Sequence, residues 1–108
     1  MSVRPRVKLP ETAKPGEIIE IKTLVSHIME TGQRRDKDGK PIPRKIINAF
    51  RATFEGREVF RATLHPGTSA NPYLVFNMKV ERAGDLTLTW TEDGGAEIVE
   101  TVRISVEA

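Results

Sequence analysis

The chain has 108 residues, 38% of them hydrophobic and 30% charged, with a net charge of +2 and no cysteine. That is the composition of one globular domain, large enough to bury a core without metal or disulfide support. The missing cysteine excludes disulfides, thiolate metal sites and covalent chemistry on a thiol of this chain. No apolar run approaches the roughly 20 residues of a membrane span, and the opening MSVRPRVKLP has charge but no apolar h-region, which predicts no signal peptide.

A short first strand is expected near Val3 to Lys8. After the turn Lys14-Pro15-Gly16, Ile19, Ile21, Thr23 and Val25 share one face of a strand and Ile18, Glu20, Lys22 and Leu24 the other, because successive strand side chains alternate. Residues 26–47 interrupt this pattern. Phe50, Ala52 and Phe54 then share a face, and so do Phe60, Ala62 and Leu64 beyond the turn Glu55-Gly56. Leu74, Phe76, Met78 and Val80 form an apolar row opposite Tyr73, Val75, Asn77 and Lys79. Leu86, Leu88 and Trp90 alternate with Thr87, Thr89 and Thr91, and Val102, Ile104 and Val106 alternate with Arg103 and Ser105. Ala83-Gly84-Asp85 and Glu92-Asp93-Gly94-Gly95 read as further hairpin turns. About seven short strands with regular turns predict an all-β domain, an immunoglobulin-like two-sheet antiparallel β-sandwich. It is expected to occupy residues 1–108 as one unit.

The interruption at 26–47, SHIMETGQRRDKDGKPIPRKII, is long for a connection inside a compact domain, and such segments are usually functional or disordered. Between Arg34 and Lys45, six cations (Arg34, Arg35, Lys37, Lys40, Arg44, Lys45) face two anions (Asp36, Asp38), a local charge of +4. The remaining sequence holds eleven cations and thirteen anions, so a basic insert sits on a slightly acidic body. Such an insert attracts anions and steers an acidic partner. No aromatic lies among its cations, which argues against a platform for single-stranded nucleic acid.

Other constellations are weaker. His27, Glu30 and His65 would make a two-histidine, one-carboxylate metal site only if the fold converged them; the plainer reading is a pair of structural histidines. Asp36-Lys37-Asp38-Gly39 resembles the start of a calcium loop, but the position eleven residues on is the apolar Ile47 instead of the closing glutamate. A turn with Gly39 at positive φ is the expected alternative. No nucleophile elbow or catalytic triad signature is present.

Three segments, SHIMETGQRRDKDGKPIPRKIINAF, GREVFRATLHPGTSANPYLVF and LTLTWTEDGG, resemble the SoxZ family, the Z subunits of the bacterial sulfur-oxidising (Sox) system. The similarity spans essentially the whole chain. Two positions depart from the family pattern: Ile28 in place of a proline, and Glu55 where asparagine before glycine would suit a tight hairpin. The resemblance implies an immunoglobulin-like sandwich paired with a Y subunit, whose flexible arm bears the one cysteine on which sulfur intermediates ride. It implies a non-catalytic carrier subunit in thiosulfate oxidation, with no cofactor and with neither nucleic acid nor membrane as partner. Other sulfur-oxidising enzymes would dock transiently. The family works in the periplasm, which Z reaches by co-export with Y.

Candidate partner-binding residues are the apolar ones left over when each strand gives one face to the core: Ile18, Leu24, Tyr73, Val75 and Val99, with Met29 and Ile42 in the insert. Arg34, Arg35 and Lys37 are the candidates for holding anionic adducts or guiding docking. An uncovered apolar patch also predicts self-association of the isolated chain. Two rival readings are a β-domain binding nucleic acid or another polyanion through the insert, and a small metalloenzyme using His27, Glu30 and His65.

Overall fold

The computed structural model describes residues 5–26, 29, 32–65 and 72–107. Within them the chain forms β1 (Arg6–Lys8), β2 (Thr12–Ala13), β3 (Glu17–Leu24), β4 (Ile47–Phe54), β5 (Arg57–Thr63), β6 (Tyr73–Val80), β7 (Gly84–Glu92) and β8 (Glu97–Val106). They assemble into a three-stranded sheet in the order β1-β3-β6 and a five-stranded sheet in the order β2-β8-β7-β4-β5. This is the two-layer sandwich that the alternation predicts.

The core is built from the inward rows. Ile19, Ile21, Thr23 and Val25 from one sheet, with Phe76, Met78 and Val80, meet Phe50, Ala52, Leu86, Leu88, Trp90 and Ile104 from the other, all buried. Burying each large apolar side chain contributes roughly 1.5–3 kcal/mol. The rings interlock: Phe50 lies 5.1 Å from Trp90 and 6.0 Å from both Phe60 and Phe76, tilted in each case. Buried Thr23 keeps its hydroxyl satisfied by donating to the Leu74 carbonyl at 3.0 Å.

One short strand goes beyond the sequence reading, and one turn needs correction. The structure has eight strands, and the eighth, β2, pairs parallel with β8 through Thr12–Ser105 and Ala13–Val106. Two residues are too few to show alternation. Ala83-Gly84-Asp85 is no hairpin turn, because β6 and β7 belong to different sheets. Gly84 instead begins β7 where a Cβ would collide with the side chains of Phe54 and Glu55. The Glu55 carboxylate accepts the Asp85 N–H at 2.8 Å, and Glu55 N–H donates to the Asp85 carbonyl at 3.0 Å. Those contacts hold the β4–β5 turn, with Glu55 and Gly56 both at positive φ (49° and 81°). A non-glycine residue is strained there, and the hydrogen bonds between Glu55 and Asp85 offset that strain.

One end of the sandwich gathers the unusual segments. Leu24 pairs with Tyr73 at the exit of β3 and entry of β6. Ile47 pairs with Glu92 beside the β7–β8 hairpin, and Ala49 pairs with Thr63 at the end of β5. The insert therefore crosses between the sheets at this end, next to the β7–β8 turn.

Candidate functional site

The described part of the insert is a small β-ribbon. Arg35 and Pro41 form an antiparallel bridge, Ile42 N–H donates to the Arg34 carbonyl at 2.9 Å, and Asp36 N–H donates to the Lys40 carbonyl at 2.9 Å. At the tip Gly39, at φ 81°, donates its N–H to the Asp36 carbonyl at 3.0 Å, as the turn reading requires. The Asp36 side chain accepts the N–H groups of Asp38 and Lys40 at 2.9 and 3.0 Å. Its carboxylate is therefore occupied by the turn backbone. Arg35 donates to the Gly39 carbonyl at 2.9 Å. Residues 33–41 are exposed throughout, so the basic side chains stand on an ordered two-legged support.

The base of the ribbon is clamped by Asp93 from the β7–β8 turn. Arg44 donates to it through Nε at 2.8 Å and Nη2 at 2.9 Å, a bidentate fork. Asn48 Nδ2 and the Ile46 N–H add donors at 3.0 and 3.2 Å. Asn48 is free for this because the β4–β7 register shifts between Ile47 and Ala49. The Arg44 guanidinium, then Asn48, hold the Asp93 carboxyl well below the usual carboxylate range, and Asp93 raises the Arg44 pKa in turn. Gly32 lets the outgoing leg pass close to Arg44; a Cβ there would lie 3.1 Å from that of Arg44. Arg44 is thus engaged at the base of the ribbon, while Arg35, Lys37 and Lys40 stand on its exposed part.

A second surface lies on the outer face of the three-stranded sheet. Ile18 is 68% exposed, Tyr73 57% and Val75 40%. Leu24 is half-buried and directly opposite Tyr73, while Val75 is opposite Lys22. Leu24, Tyr73 and Val75 are thus contiguous, and Ile18 lies apart, opposite Lys79. Beside them Arg6, Lys8, Lys22, Leu24 and Tyr73 line a cavity of about 330 Å³, an apolar recess with a cationic rim.

The remaining candidates fall elsewhere. Val99, 54% exposed, is on β8 in the other sheet and does not join this face. Ile42 is half-buried at the base of the ribbon. Met29 is not surface at all: it is 4% exposed, belongs to the core, and its sulfur accepts the Ile47 N–H at 3.3 Å. An apolar residue in an aperiodic stretch gives no sign of facing inward. His65 is exposed, and His27 and Glu30 lie outside the described residues. Among the described residues no group of three or more His, Cys, Asp or Glu could hold a metal ion. Sequence reasoning missed Asp93 and Asn48; the one available signal was an acidic residue in a turn next to two glycines, and its partner lies 49 positions away.

The fold is that of an immunoglobulin-like β-sandwich with a basic ribbon at one end. The chain belongs to the SoxZ family: the family model for sulphur oxidation protein SoxZ matches residues 7–103. Comparison with curated protein sequences finds no match. Among solved structures, the sulfur carrier protein SoxY from Chlorobium limicola f. thiosulfatophilum superposes with a TM-score of 0.67 at 12% identity, covering 94% of this chain and 74% of that one. The superoxide reductase (neelaredoxin) from Ignicoccus hospitalis gives 0.75 at 20% identity, covering 96% and 80%. A putative superoxide reductase from Thermotoga maritima gives 0.73 at 18%, covering 96% and 86%. At these identities the likeness concerns the fold. Membership of the family makes the chain a subunit of a Sox sulfur-oxidation system.

Proposed function

We propose that this chain is the thiol-free, non-catalytic half of a heterodimeric sulfur carrier in thiosulfate oxidation, scaffolding a SoxY-like subunit whose cysteine holds the sulfur intermediates. The observation that carries the reading is a SoxZ-family chain without a single cysteine. A polypeptide lacking a thiol cannot form a thiosulfonate or persulfide, so the sulfur must travel on a companion. In this reading the Y-type subunit covers the Leu24–Tyr73–Val75 patch, since a permanent pair buries apolar surface. The ribbon meets the enzymes that load, oxidise and hydrolyse the adduct, and the pair works in the periplasm, exported on the Y-type subunit. Mixing the chain with its Y-type subunit tests it: a stable one-to-one complex that supports thiosulfate turnover with the client enzymes is expected. No complex under any condition overturns it.

The exposed basic ribbon also supports a second reading, a domain that binds polyanions such as nucleic acid. Titration with single- and double-stranded DNA across salt concentrations separates the two. Binding tighter than ordinary non-specific attraction, with a steep salt slope, would favour the second.

A further inference from the structure

Each sheet of a sandwich ends in strands with unpaired outward backbone groups, and native proteins blunt such edges by shortness, charge, proline or bulges. The four edges here are β1, β2, β5 and β6. β1 has three residues and β2 two. β5 has seven, but it carries Arg57, Glu58 and Arg61, and its register with β4 shifts between Ala52 and Thr53. β6 has eight, runs beside β3 without a register shift, and holds one charged residue, Lys79. It is the long, regular, largely apolar edge that the other three avoid.

The direction of its free groups follows from the ladder. Val25 N–H donates to the Pro72 carbonyl. Peptide groups alternate along an antiparallel strand, so those of Leu74, Phe76 and Met78 face β3. Those of Tyr73, Val75, Asn77 and Lys79 face away, and no described strand lies on that side. The exposed Tyr73 and Val75 side chains stand on the same strand.

We propose that β6 pairs edge to edge with β6 of a second copy of this chain, antiparallel about a two-fold axis, joining both three-stranded sheets into one. The occupant is a second copy because the strand complements itself. With Tyr73 opposite Lys79 of the second copy, Val75 meets Asn77 and Phe76 meets Phe76. All four outward residues of each strand then find partners, about eight hydrogen bonds. No like charges are opposed. Each Lys79 lies against a Tyr73 ring, where its stem covers apolar surface and its ammonium meets the ring face. The pair that Lys79 makes with Glu81 in its own chain, 3.6 Å apart and exposed on both sides, does not obstruct this. The pairing belongs to the isolated chain and stands or falls independently of the carrier reading.

Sedimentation equilibrium on the purified chain, from micromolar to millimolar, tests the proposal. The wild type is expected to be a dimer. Asn77→Pro removes an outward N–H while leaving the β3 ladder whole, and should weaken the dimer on the order of thirtyfold with cooperative unfolding retained. If that variant fails to fold, Tyr73→Lys decides: it sets lysines opposite each other and should disperse the dimer. Adding Lys79→Glu should restore the dimer, because the two positions face each other only in this register. A monomeric wild type throughout overturns the proposal. So does a dimer that is indifferent to both Asn77→Pro and Tyr73→Lys.

Discussion

The outer face of the three-stranded sheet and the basic ribbon are both exposed, yet they are built by opposite means. The first is apolar side chains on strands whose other faces form the core, so its geometry is as rigid as the sandwich. The second contributes little to the core; its shape comes from backbone hydrogen bonds, the Asp36 turn and the Asp93 clamp. Apolar area on a rigid support suits a lasting partner. Charge on an ordered arm suits encounters that are fast, brief and sensitive to salt. Under the proposed carrier reading, the face would hold the Y-type subunit and the ribbon would meet the client enzymes.

The largest effect should come from breaking the face. Leu24→Asp with Val75→Asp is expected to weaken the Y-type heterodimer about a hundredfold or more by calorimetry, roughly 3 kcal/mol. Both positions point away from the core, so thermal unfolding should move little. Unchanged affinity would shift the interface toward Val99 and the other sheet.

The next sharpens the ribbon side. Asp93→Asn should release the ribbon base and speed hydrogen exchange across 34–46, while the strands keep their protection. The pH dependence has a definite sign. Folding lowers the Asp93 pKa, so its contribution is complete above the ordinary carboxylate value of about 4 and is lost as pH falls toward the folded value. Ribbon protection in the wild type should therefore decline as pH drops below about 4, whereas the Asp93→Asn variant should show no such decline from this group.

Smaller again is the effect of charge alone. Replacing Lys37 and Lys40 with glutamine should slow association with client enzymes several-fold at low salt, measured by stopped flow. The difference should vanish at high salt, because exposed charges are screened beyond about 8–10 Å. Equal rates at all salt concentrations would remove the ribbon from docking. The smallest effect is Gly39→Ala, about 1 kcal/mol from forcing a Cβ into positive φ. It should appear as faster exchange at the ribbon tip and leave global unfolding unchanged.

Much of the sandwich was legible because its signal is local. A strand row such as Leu74, Phe76, Met78 and Val80 announces its buried side by alternation alone, and all but half-buried Leu74 are buried. The exposed Tyr73 and Val75 follow from the same rule. What stayed hidden needs topology. Arg44 reads as one more cation until the fold brings Asp93 from 49 positions away. Met29 reads as a loose apolar residue until the core closes over it. Gly84 reads as a turn until strand order puts β6 and β7 in different sheets and packs Phe54 and Glu55 against it. That β6 is an edge depends on strand order, which alternation does not encode.

Intact-mass spectrometry of the reconstituted heterodimer after exposure to thiosulfate and its loading enzyme tests the division of labour most directly. The account predicts sulfur-adduct mass on the cysteine-bearing subunit and an unmodified mass for this chain. A stable sulfur adduct on this polypeptide, or thiosulfate turnover by it alone, would contradict the account.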